Sequence, residues 1–388
     1  MDSQDSSPLC ELPPELLLEI RQYLDVSTLC SLRVTCKFLY ACTLHQFGKT
    51  YLKTIQSDLS LSSLQRLEGL TRNPRLCPYV HSLDITGGNS DILGIGLEWE
   101  RPALGLPLST PQKSIQRLRD IISRLEKCQS FHLHKRNWVP STSPLNPFDV
   151  ITIILRTLSF LFKPSTSMCL GGPGQGTENM SRVDKALLQD PRLITAHSTL
   201  EKLTFRQAVD TPDTVDFMMR IIQDAPLLQL LSIDADCADA SYILMSRLYS
   251  NQRVRALKLR DLRLKGIRAG SSEALTNFIA SFKYSLTSIS LAGIHLTSGS
   301  TPSILRALAK FPPTLTQFST LPTGGWRYSS TSSPVHIVID PVRGITIPFS
   351  IDLLCPRVGI FRLTYSGPRK DIALNALADG APFLPGKG

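Results

Sequence analysis

The sequence predicts an α/β chain in two parts: three short helices near the amino end, then an irregular solenoid of parallel strands and helices. Three observations predict it. The stretch Leu12 to Tyr40 holds proline, cap and leucine signals for three helices in succession. Beyond it, a pattern of apolar-x-x-apolar-x-apolar recurs, and its closing alternation is that of a half-buried strand. Between the central copies lie amphipathic segments with helix-start signals.

The first helix begins at the prolines. A residue before proline is pushed out of the α region, so Leu12 and Pro13 are extended, and Pro14 with Glu15 suits a first helical turn. Leu16, Leu17, Ile20 and Leu24 then form one apolar stripe, with Glu19, Arg21 and Gln22 on the other side. Ser27 is placed to cap a second helix carrying Leu29 and Leu32, and Thr35 a third carrying Phe38 and Leu39. A unit this small falls below the roughly 40 residues under which a core alone rarely sustains a fold, so its leucines need another surface. Either later parts of the same chain or a partner supplies it.

Leu12-Pro13-x-Glu15-Leu16-Leu17, then Ile20, Tyr23-Leu24-Asp25, Leu29-x-x-Leu32 and Cys36-Lys37, resemble the F-box motif. The sequence departs from it at Thr35, where an aliphatic residue is more usual, and shares the following aromatic between Phe38 and Tyr40. The resemblance implies that residues 8–50 are an F-box that docks on the Skp adaptor of cullin-RING ubiquitin ligases. The implied adaptor contacts are Leu12, Pro13, Glu15, Leu16, Leu17, Ile20, Tyr23, Leu24, Leu29, Leu32, Cys36 and Phe38. Through the adaptor the chain would reach a cullin, and its remainder would recruit a protein substrate.

Leu44 to Leu70 reads as further helix, with Leu52, Ile55, Leu59, Leu64 and Leu67 facing inward, so residues 51–78 are expected to be a helical linker. The recurring pattern starts at Val80-x-x-Leu83-x-Ile85 and Cys128-x-x-Phe131-x-Leu133. It continues at Leu200, Leu228, Val254 and Leu286, with a degraded copy at Leu315-x-x-Phe318 and a last copy at Val358-x-x-Phe361-x-Leu363. With Leu203, Leu231, Leu257, Ile289 and Phe318 as fixed points, the central copies are 28, 26, 32 and 29 residues apart. Thr211-Pro212 and Thr301-Pro302 open helices between them, and the stripes Tyr242–Tyr249 and Leu275–Phe282 mark two more. Spacing and pattern resemble the leucine-rich repeat, whose units must stack because none covers its own apolar face. Residues 79–365 are therefore expected to be a degenerate leucine-rich-repeat-like domain, degenerate because Ala208, Asp236, Leu262 and Ile294 stand where the repeat has asparagine. A non-repetitive α/β domain is the alternative. Lys163 to Ser181 and Thr320 to Pro334 read as mobile excursions, Val335-x-Ile337-x-Ile339 as one more strand, and 366–388 as a poorly ordered tail.

Composition excludes several classes. With 388 residues, 42% hydrophobic and 19% charged, the chain is an ordinary globular one. The longest apolar run, Phe148 to Phe162, contains Arg156 and falls short of the ~20 residues of a membrane span. The amino end lacks a basic region followed by an apolar one, so a cytoplasmic or nuclear location is expected, with no membrane partner. Nine cysteines without a C-x-x-C pair give neither a zinc framework nor a disulfide scaffold. Gly171 to Gly176 lacks the Lys-Ser/Thr of a phosphate loop, and no nucleophile, base and cofactor set converges. A non-catalytic chain without cofactor is expected.

A net charge of +10 favours acidic partners. Arg253 to Arg268 concentrates it, with Asp261 the single acid. If Leu257 and Leu259 point to the core of a strand, Lys258 and Arg260 point to its open side, and the same offset elsewhere gives His132, His134, Lys202 and Arg206. This row suits an acidic or phosphorylated protein segment. The leading expectation is thus the substrate-recognition subunit of a Skp-cullin-F-box ubiquitin ligase. The rivals are an F-box protein acting outside ubiquitin ligases and a basic nucleic-acid- or chromatin-associated scaffold. Absence of interleaved aromatics in the basic run speaks against nucleic acid.

Overall fold

Proline and caps set the amino-terminal helices. In the computed structural model, α1 (Pro14–Ile20) starts on Pro14, whose missing N–H is no loss in a first turn, and tightens into a 3-10 turn at Arg21–Tyr23. Next come α2 (Val26–Thr35) and α3 (Lys37–Tyr51). Their caps differ from expectation. Asp25, not Ser27, accepts from the Thr28 N–H at 2.7 Å, because a carboxylate also gains from the positive end of the helix dipole. Cys36, not Thr35, accepts from the Leu39 N–H through Sγ at 3.4 Å, while the Thr35 hydroxyl turns back to the Leu32 carbonyl. The structure describes residues 12–87, 92–100, 108, 112–134, 144–171, 187, 189–206, 209, 211–235, 240–320, 335–340, 345–355, 360–367, 369–379 and 383–385.

From Thr54 strand and helix alternate: β1 (Thr54–Ser57), α4 (Leu61–Thr71), β2 (Ser82–Thr86), α5 (Lys113–Arg124), β3 (Ser130–His134), α6 (Pro147–Leu161), β4 (Ser167–Gly171) and α7 (Pro191–His197). The series goes on through β5 (Lys202–Arg206), α8 (Pro212–Gln223), β6 (Leu230–Asp234), α9 (Ser241–Ser250), α10 (Gln252–Arg255), β7 (Asp261–Lys265) and β8 (Arg268–Ser271). It ends with α11 (Ser272–Ala280), β9 (Ser288–Ala292), β10 (His295–Ser298), α12 (Thr301–Ala309) and β11 (Gln317–Thr320). Strands β1 to β7, β9 and β11 lie side by side in chain order, each parallel to the last. A parallel neighbour requires a crossover, and the helices supply it. The result is mixed α/β with a solenoid-like parallel array, the class the sequence predicts.

The recurring pattern becomes a row of stacked side chains. Leu83, Phe131, Met168, Leu203, Leu231, Leu262, Ile289 and Phe318 are register partners, none more than 2% exposed. Burying each contributes about 2 kcal/mol, and the row shares one core with the inward faces of α5, α6, α8, α9, α11 and α12. After β7 and β9 the chain turns at Gly266 (φ +62) and Gly293 (φ +58), which stack on each other. Only glycine takes this backbone cheaply, and the paired turns place β8 and β10 as a second, two-stranded parallel sheet.

Several expectations are corrected. The segment 51–78, expected as helical linker, carries α4 but also β1, so the sheet starts at Thr54. The helix periodicity over Leu44–Leu70 hid a four-residue strand in which only Ile55 and Ser57 are buried. Lys163 to Ser181, expected as a mobile excursion, contains β4: Met168 and Leu170 alternate inward, and the short strand is held by β3 and β5 on both sides. The copy placed at Leu257 is displaced. Val254 belongs to α10, and the strand is β7, so the true copy is Leu259-x-x-Leu262-x-Leu264, which makes the spacings 28, 31, 27 and 29. The residues 172–181 and 321–334 of the expected excursions lie outside the described residues.

Beyond β11 the sheet changes character. β12 (Val335–Asp340), β13 (Ile345–Cys355) and β14 (Ile360–Ser366) are antiparallel, with β14 on β11, so the last copy is a strand but not a parallel repeat. Their connections are too short to hold a crossover helix. The expected poorly ordered tail is corrected where it is described: α13 (Lys370–Ala378) buries Leu374, and β15 (Phe383–Pro385) pairs with β12. Two buried lysines, Lys163 and Lys370, do the same job. Each donates to carbonyls just past the end of a helix: Lys163 Nζ to Leu125 O at 2.8 Å after α5, and Lys370 Nζ to Phe311 O at 2.8 Å after α12.

Candidate functional site

The amino-terminal unit has a core of its own and little of it. Among the described residues Leu17, Leu29 and Leu39 are its buried large apolar ones, and none belongs to the main core, which begins at Ile55. Arg33 fills the remaining interior, with its guanidinium 3.7 Å from the centre of the Phe47 ring and 4.8 Å from that of Tyr40. Meanwhile Leu16, Ile20, Tyr23, Val26, Val34 and Phe38 are exposed. Leu16, Ile20 and Tyr23 fall at i, i+4 and i+7 along α1 and its 3-10 turn, while Val34 and Phe38 flank the turn between α2 and α3. Six exposed large apolar side chains within residues 16–38 are the density expected of an interaction surface.

Of the implied adaptor contacts, Pro13, Glu15, Leu16, Ile20, Tyr23 and Phe38 are exposed, and Leu12, Leu24, Leu32 and Cys36 are half-buried. Leu17 and Leu29 are corrected: at 5% and 1% exposure they serve the unit's own interior. The stripe read from sequence was two residues wide, and the structure turns one edge of it in and the other out. Val26 and Val34 were missed. They lie off the leucine spacing, and no periodicity marks a residue that packs on nothing in its own chain.

The second surface is the face of the sheet away from the helices. Its central row runs Asp84, His132, Cys169, Thr204, Ser232, Arg263, Ser290, Ser319, Thr364. At the β2–β4 end, His132 Nδ1 lies 3.0 Å from Asp84 Oδ1, and its Nε2 lies 3.3 Å from Ser167 Oγ. Here the bonds tie three strands together. Burial pushes the neighbouring Cys169 thiol upward, away from the thiolate form.

At the β5–β14 end the same face forms a groove of about 580 Å³, lined by Arg206, Asp234, Arg263, Lys265 and the hydroxyls of Ser232, Ser290, Ser319 and Thr364. Arg263 forks onto Asp261, Lys265 Nζ lies 2.8 Å from Asp234 Oδ2, and Ser319 Oγ donates to Ser290 Oγ at 2.7 Å. The Asp261 hydrogen bond raises the Arg263 guanidinium further above its ordinary value.

Of the face residues read from sequence, His132 is on this face, and Lys202 and Arg206 are exposed at the two ends of β5. The side chain of His134 lies outside the described residues. Lys258 and Arg260 are corrected: both are exposed but precede β7, and Arg260 joins the sheet through its backbone, donating to Gln229 O and accepting from Thr287 and Ser288. The strand positions belong to Arg263 and Lys265. Two alternations five residues apart, Leu257/Leu259 and Leu262/Leu264, competed for the strand, and the more even repeat spacing would have chosen the second.

Fold and surfaces define a class: a small helical docking unit with an exposed apolar crest, joined to an α/β body with an open strand face. Residues 9–47 match the family model of the F-box-like domain, which supports an F-box protein and, with it, an adaptor-binding role. No curated protein matches the chain. No helix among the described residues is long and apolar enough to cross a membrane.

Proposed function

We propose that this chain is a substrate-recognition subunit of a Skp-cullin-F-box ubiquitin ligase. The observation that carries the reading is the exposure of Leu16, Ile20, Tyr23, Val26, Val34 and Phe38 on a unit whose buried large apolar residues, among those described, are three leucines. The adaptor covers these exposed side chains and brings a cullin with it. The parallel units act as degenerate leucine-rich repeats, whose open face holds the target protein. The chain makes no bond itself: holding a target beside a ubiquitin-loaded partner raises the effective concentration of the two reacting groups. Such a receptor works in the cytoplasm or nucleus. A nucleic-acid scaffold is less supported, since Arg263 and Lys265 of the basic run are paired with Asp261 and Asp234.

Co-expression with a Skp adaptor followed by size-exclusion tests the reading. A wild-type chain that co-elutes with the adaptor, and a Pro13→Ala/Leu16→Ala variant that does not, support it. A wild-type chain that elutes alone contradicts it. Whether a cullin follows in affinity purification separates a ligase subunit from an F-box protein working elsewhere.

A further inference from the structure

We propose that the groove between β5 and β14 binds an extended target segment bearing one carboxylate side chain, which Arg206 holds. The inference rests on the receptor reading above and names its ligand. Charge sets the anion. Arg263 is met by Asp261 and Lys265 by Asp234, whereas Arg206 forms no ion pair among the described residues. One uncommitted guanidinium matches one monoanion, through a planar fork suited to a carboxylate. A phosphate's second charge would face Asp234, the register neighbour of Arg206.

Length and chemistry set the rest. The groove crosses five strand spacings, from β5 through β6, β7, β9 and β11 to β14. At about 4.8 Å per spacing that is about 24 Å, the length of about seven extended residues. The hydroxyls of Ser232 and Ser290 both donate and accept, and Ser319, whose O–H is given to Ser290, accepts, as the C=O and N–H groups of an extended backbone require. Among the described residues the lining holds no aromatic ring on which a nucleotide base would stack, so the groove suits peptide rather than RNA.

The test presents the full chain to an array of random nonapeptides, each made with a central Glu, Gln or phosphoserine, and measures affinities of the best binders by fluorescence anisotropy. The expected result is enrichment of Glu peptides, at least ten-fold weaker binding of their Gln counterparts, and a similar loss in Arg206→Glu with only partial recovery in Arg206→Lys, which restores the charge without the fork. Arg206 is exposed, so both variants should match the wild type in thermal midpoint and adaptor co-elution. The inference is overturned if no peptide is enriched, if Glu and Gln peptides bind alike, or if phosphoserine exceeds Glu ten-fold. It is equally overturned if Arg206→Glu binds as the wild type does, or if polyuridine RNA displaces the peptides. Each failure leaves adaptor co-elution intact, whereas loss of co-elution in the wild type sinks the receptor reading whatever the peptides do.

Discussion

Gly48 of α3 lies against the ring of Tyr79 so closely that a Cβ there would overlap the ring carbons. Tyr79 belongs to the turn that leads into β2, so this contact joins the helical unit to the sheet. Two hydrogen bonds brace it: His45 Nδ1 to Tyr79 Oη at 3.0 Å, and Asn73 Nδ2 donating to Tyr40 Oη at 3.3 Å. The helical unit thus meets the segment leading into the sheet through direct side-chain contact.

Gly48→Val should therefore force Tyr79 out of place at a cost of about 1–3 kcal/mol. Hydrogen exchange should quicken at Cys77–Tyr79 and across the His45 turn while the β5–β9 strands stay protected. Unchanged exchange at the joint would show that it has room the geometry denies.

The two buried lysines offer a second test. Replacing Lys163 or Lys370 with Met keeps the stem but removes the charged donor to Leu125 O, which keeps only the Cys128 N–H at 2.9 Å, or to Phe311 O. Each change should lower stability in urea unfolding by about 2 kcal/mol, the contribution of a hydrogen bond from a charged donor. Because the sites sit many strands apart, the double variant should lose the sum within about 0.5 kcal/mol.

His197 gives a pH dependence with a definite sign. It is buried in α7, its Nε2 has no hydrogen-bond partner, and burial pushes its pKa from 6.5 down to about 4. The folded chain keeps it neutral, while the unfolded chain takes up a proton below about pH 6.5. Stability present above that pH is lost as pH falls toward 4, at about 1.4 kcal/mol per unit. Between pH 6.5 and 5 the wild type should lose about 2 kcal/mol more than His197→Gln, read from urea midpoints at the two pH values. Equal losses would place the ring in contact with water.

How far the sequence could be read follows from where side chains find their partners. Strand rows such as Leu203, Leu231 and Ile289 were legible because each unit repeats the same burial at the same spacing. β1 and β4 were not: one hides between two helices and the other among glycines and serines, and each becomes a strand only because a neighbour offers a ladder. The docking unit was legible as a motif, but its inside and outside were not. Leu16 and Leu17 are identical in type, and only the packing of α1 on α3 decides that one is 46% exposed and the other 5%. Lys163 and Lys370 were invisible, since a lone lysine carries no mark of burial in the sequence. The groove pairs Asp234 with Lys265 across adjacent strands, a relation that depends on the strand register at β7.

The most direct measurement is calorimetric titration of a Skp adaptor into the full chain, wild type against Leu16→Asp/Ile20→Asp. Both side chains already face water, so the variant should keep the wild-type thermal midpoint. The account predicts saturable one-to-one binding by the wild type and a loss of at least about 100-fold, near 3 kcal/mol, in the variant. A wild-type chain that does not bind, or a variant that binds as well, would contradict it.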